Sequence, residues 1–174
     1  LAAPTPQACF ISTKSALPAE VASSIPALAR TIRCSTTTFL QTSPTKIPDL
    51  ISGSTSFSSI DFRNSALDPL GFALANFAVN DPKTANLATL TEKLNVYLAF
   101  EAALRSSGAS TSALTKAKVP KFFLQFQLAR VEVAQTGKTA VAGGVEHQRA
   151  KVSKNAAAIR ASQAELKELA AIKA

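Results

Sequence analysis

Apolar side chains recur along this chain mostly at helical spacing. From Leu17 onward, Val21, Ile25, Leu28, Ile32 and Phe39 follow one another at steps of four, three, four and seven, which aligns them on one stripe of a helix. Pro18 suits a first turn, whereas Pro26 predicts a kink or a restart. Residues 41–67 then run rich in Ser, Thr and Pro with scattered Ile, Leu and Phe. They predict a long connection pinned by apolar anchors, with room for one short strand or helical turn.

Two acid-proline pairs, Asp68-Pro69 and Asp81-Pro82, have the form of an N-cap followed by proline at the first helical position. The first opens a short apolar helix and the second a long one, ending near Ser107 with Gly108 as its stop. Leu87, Leu90, Leu94 and Leu98 line one side of the long helix, and Val96, Phe100 and Ala103 line the other. A helix apolar on two sides belongs in the middle of a fold.

GASTSALTKAK at 108–118 reads as a polar loop, with Pro120 starting the next helix. On that helix Phe122, Phe126, Ala129 and Val133 share one face, and Leu124, Leu128 and Val131 share the opposite one. Residues 121–133 alternate in places and have a strand as their competitor; their helical neighbours decide for helix. Lys116, Lys118 and Lys121 then form a solvated approach to a core helix, and the central segments carry no buried charge.

Gly143-Gly144 precedes a long C-terminal helix over 143–173. Val145, Val152, Ile159 and Leu166 recur every seven residues, but the companion positions Gln148, Asn155 and Ser162 are polar, which is too thin a seam for an isolated coiled coil. That stripe is the candidate surface for a homo-oligomer or a larger assembly. The pattern as a whole predicts one all-α domain over 1–174, a bundle of four or five helices with the Ser/Thr/Pro-rich connection after the first.

Composition adds compartment and charge. The 174 residues are 47% hydrophobic and only 17% charged, a globular composition without the charge density of a disordered chain. There is no methionine, even at position 1, and the opening LAAPTPQA is uncharged, so a processed chain with its signal segment removed is expected. Cys9 and Cys34 are expected to bridge and tie residues 1–16 down, which fits an extracellular or otherwise exported protein. No apolar run is long enough for a membrane span. The net charge of +8 sits almost wholly in residues 81–174, which carry +7. An anionic surface is therefore one class of partner.

Chemistry is scarce. The single histidine, His147, stands among Glu146, Gln148 and Arg149 without a catalytic partner, and one histidine with two bridged cysteines leaves zinc short of ligands. No G-x-S-x-G elbow, phosphate-binding loop or Glu-x-x-His pair is present, so no enzyme activity, cofactor or metal is expected. With no tryptophan and one tyrosine, nucleic acid is a poor fit as well. In size and composition the chain is similar to small helical secreted proteins of fungi that associate with cell walls or hydrophobic surfaces, a likeness that carries over no site residue. The reading is a secreted, non-enzymatic protein holding an apolar or amphipathic small molecule of fatty acid or sterol type, or associating with such a surface. Phe72, Phe77, Leu94, Leu98, Phe100, Phe122 and Phe126 are the candidate lining residues. The alternative is an accessory subunit docked through its basic C-terminal helix.

Overall fold

A computed structural model describes residues 7–40 and 46–174. The stripe that begins at Val21 is not one helix. It opens with α1 (Ala19–Ala22) and α2 (Ile25–Thr31), with Pro26 in the first turn of α2 as the restart predicts. Ile32 and Phe39 then lie in a strand, β1 (Ile32–Leu40), because Ser35 and Thr36–Thr38 crowd a helix at Cβ and compete for its backbone bonds. Phe39 is 49% exposed and belongs to no helical stripe.

Within the described part of the 41–67 connection, β2 (Ile47–Ser52) and β3 (Thr55–Ser56) join β1 in an antiparallel sheet of order β1-β2-β3. Residues 41–45 lie outside the described residues. The fold is therefore mostly helical with a small sheet, not all-α. Gly53 makes the β2-β3 turn at φ +56, and a side chain there would overlap the Glu92 carboxylate. That carboxylate accepts from the Ser54 amide and the Thr55 hydroxyl, which fastens the sheet to the long helix above it. Two short 3₁₀ turns, Phe57–Ile60 and Phe62–Asn64, lead into α3.

Helix α3 (Pro69–Phe77) starts as its sequence predicts, with the Asp68 carboxylate accepting from the Leu70 and Gly71 amides. Asp81 does not start the next helix. Its carboxylate closes a turn by accepting from Lys83 N–H and the Thr84 hydroxyl, and α4 (Leu87–Ser106) is capped by Asn86 instead. Helix α5 (Thr111–Thr136) likewise begins well before Pro120, from a Ser110 cap, so 108–118 is largely helical and Pro120 is interior. Burial of Ala117, Val119 and Pro120 itself offsets the hydrogen bond that proline forfeits. Residues 121–133 are helix, as expected.

The C-terminal segment forms two helices rather than one, α6 (Gly144–Ala158) and α7 (Gln163–Ala171). Arg160 turns the chain at φ +62, and a Ser162–Glu165 capping box starts α7. Helix α5 packs on α3, α4 and α6, and the buried apolar residues form one cluster around it. Leu124, Leu128 and Val131 face that core with Phe126 and Ala129, whereas Val133 is 40% exposed.

Cys9 and Cys34 are bridged across a separation of 25 residues, which fastens the N-terminal segment to β1. In the chain-entropy model a loop of that size contributes about 3 kcal/mol. Reduction with dithiothreitol is expected to lower stability by that amount in urea denaturation; an unchanged midpoint would mean the segment is held by packing alone.

Candidate functional site

Three features organise chemistry: an aromatic core, a buried charge cluster and an apolar groove at the N-terminal staple. The core takes up the phenylalanines. Phe57 stacks on Phe100 at 4.1 Å between centroids, while Phe77 meets Phe72 and Tyr97 edge-on at 5.4 and 5.7 Å. The Tyr97 hydroxyl donates to the Ile60 carbonyl, and burial pushes its pKa well above the usual tyrosine range. Phe126 lies against Phe123 with the Arg130 and Arg149 guanidiniums 5.7 and 5.2 Å from its ring. Half-buried Phe122 lies under the Lys121 and Lys151 ammonium groups. The seven expected lining residues thus pack on one another and on core neighbours, and none borders any of the three clefts described below. Phe123, fully buried at the centre of α5, belongs with them and escaped the two-face reading of that helix.

Charge is buried in the middle of the fold, contrary to the sequence reading. Glu101 is 3% exposed and Lys121 7%. The Lys121 ammonium donates to Glu101 Oε2 at 2.7 Å, and Arg105 donates through Nε and Nη2 to Oε1 at 3.0 and 2.9 Å. Burial alone raises the Glu101 pKa, but Lys121 and Arg105 outweigh it and hold the carboxyl below its ordinary range. Burial lowers the Lys121 pKa despite Glu101, with Lys151 and Lys118 adding repulsion. Lys121 is therefore part of the core, not of a solvated approach. With both carboxylate oxygens engaged, the cluster is an internal brace with no open position for a substrate.

A second polar cluster holds the C-terminal segment. Arg130 donates to the Lys173 and Val79 carbonyls and to Gln127 Oε1, and Arg149 donates to the carbonyls of Ala170 and Ile172. The partner-surface stripe is spent here as well. Val152 is 0% exposed, and Val145, Ile159 and Leu166 are half-buried against the same core, so the stripe faces inward.

The groove lies between the N-terminal segment and α1-α2. Phe10 is buried in the core, the Ser12 amide donates to the Ser106 hydroxyl, and the Ser15 amide donates to the Ser106 carbonyl. With the Cys9–Cys34 bridge, these contacts hold residues 8–17 a fixed distance from α2. What remains between them is a cleft of about 630 Å³ walled by Ala8, Ile11, Leu17, Ile25 and Pro26. Arg30 lines it too, exposed and without an ion-pair partner among the described residues. Of two smaller clefts, one lies beside the Asp61–Arg63 pair and one between α5 and the α6-α7 bend.

His147 is exposed in the first turn of α6. Among the described residues no three His, Cys, Asp or Glu side chains stand close enough to hold a metal. No described helix is long and apolar enough to cross a membrane.

Fold and groove together define a disulfide-stapled, mostly helical domain with a small sheet and an apolar cleft on its flank. Residues 11–174 match the family model described as a domain of unknown function, DUF7143, and the chain belongs to that family. No curated protein and no solved structure matches it.

Proposed function

We propose that this is an exported, non-enzymatic binding protein whose apolar groove takes an amphipathic small molecule of fatty acid type. The observation that carries the reading is the groove itself, with about 630 Å³ of space, aliphatic walls and one cation, Arg30, that has no ion-pair partner among the described residues. Such dimensions and composition are those of small-molecule sites, where apolar walls supply affinity and a few polar groups fix orientation. An alkyl chain lying along Ile11, Leu17 and Ile25 would place an acidic head within reach of Arg30. The disulfide supports export, because such bridges persist in oxidising compartments. This reading puts the ligand on the flank rather than between the central helices. The same groove, open to solvent at Pro26 and Ala29, also suits loose association with a hydrophobic or cell-wall surface. No observation favours docking to a larger assembly through the C-terminal helices, whose apolar stripe packs inward.

Native mass spectrometry of the intact chain with laurate tests the reading. A one-to-one adduct is expected, weakened about tenfold by Ile25→Asp, which sets a charge in an apolar wall. Absence of the adduct, or equal binding by the folded variant, would contradict it.

A further inference from the structure

We propose a second site, for a phosphate monoester group, in the cleft between the start of α5 and the α6-α7 bend. This cleft of about 440 Å³ is lined from one side by Thr111, Ser112, Thr115 and Lys116 and from the other by Ala158, Ile159 and Arg160. It holds two cations and three hydroxyls and no carboxylate. Neither Lys116 nor Arg160 has an ion-pair partner among the described residues.

The groups match an oxyanion in kind. Arg160 offers a planar fork for two oxygens and Lys116 a compact charge. The Thr115 hydroxyl is committed to the Thr111 carbonyl, but those of Thr111 and Ser112 have no partner among the described residues. A monoester bears its charge on terminal oxygens, which two cations and two donors reached from opposite walls can share. The apolar groove plays no part in this site.

The backbone provides a clean test. Arg160 sits at φ +62, a conformation in which glycine is at ease, so Arg160→Gly removes the cation while favouring the native turn. The intact chain, at low ionic strength, is titrated with inorganic phosphate and followed by amide NMR. It is also sedimented with phosphatidylcholine vesicles with and without phosphatidic acid. Saturable shifts at 111–116 and 158–160 with phosphate identify a free phosphate ligand. Sedimentation only with phosphatidic acid identifies a lipid headgroup, and either result supports the site if Lys116→Ala and Arg160→Gly each weaken binding about tenfold. No response to phosphate or to phosphatidic acid, or a response unchanged in the double variant, overturns the proposal.

Discussion

Glu101→Gln is expected to destabilise the protein by about 3–5 kcal/mol at neutral pH, because it strands Lys121 and Arg105 in the interior without their counter-charge. The loss is due to the uncompensated cations rather than to any large net worth of the cluster. Replacing Glu101 and Lys121 together by Leu and Met is therefore expected to recover much of it. Urea denaturation of the single and double variants reads both numbers, and a single-variant loss under about 1 kcal/mol would contradict the buried-brace reading.

The same carboxylate sets an acid dependence. Folding holds the Glu101 carboxyl below its ordinary range, so in acid the unfolded chain takes up this proton first. The stabilisation is complete above the ordinary glutamate pKa and drains away as pH falls through the lower folded value. Glu101→Gln removes that part of the acid loss. Lys121 adds no alkaline counterpart, because its folded pKa is also lowered and stability through it rises, not falls, with pH.

Phe126→Ala is expected to cost about 3–5 kcal/mol, the range for emptying a fully enclosed aromatic site. The ring meets Phe123 and lies 5.7 and 5.2 Å from the Arg130 and Arg149 guanidiniums, which in turn hold carbonyls between Ala170 and Lys173. Loss of the ring leaves a cavity and loosens both clamps, so faster amide exchange in α7 should accompany the fall in the denaturation midpoint. A residue that lined a ligand site would behave otherwise, since truncation would cost binding and little stability. A drop below about 1 kcal/mol would put Phe126 back among lining residues.

Helices whose start and core face are both local signals were legible in the sequence. Asp68-Pro69 caps α3 as read, and the two-sided apolar pattern of α4 and α5 does place them centrally. The Cys9–Cys34 bridge was legible from the position of the two cysteines, 25 residues apart beside an otherwise loose N-terminal end. What was hidden depends on distant partners. Glu101 and Arg105 have the spacing of an exposed helix pair, and only the packing of α5 brings Lys121 to the same carboxylate. The strand at Ile32–Leu40 was masked because Ile32 and Phe39 happen to continue a helical stripe past the point where Ser35 and three threonines end it. Ser110 was lost in a run that reads as loop, although it caps the longest helix. The C-terminal stripe was legible as apolar, but whether a neighbour inside the fold matched it depended on the distant packing of α5 against α6. The groove had no signal of its own, since its walls come from a stapled segment and two short helices that no single periodicity joins.

The most direct measurement is methyl-resolved NMR of the intact chain titrated with laurate. Saturable shifts at Ala8, Ile11, Ile25 and Ala29, with Leu94 and Leu98 unmoved, are the predicted result. Shifts centred on Leu94 and Leu98 would return the ligand to the middle of the bundle, and no saturable shift at all would leave the groove without its proposed occupant.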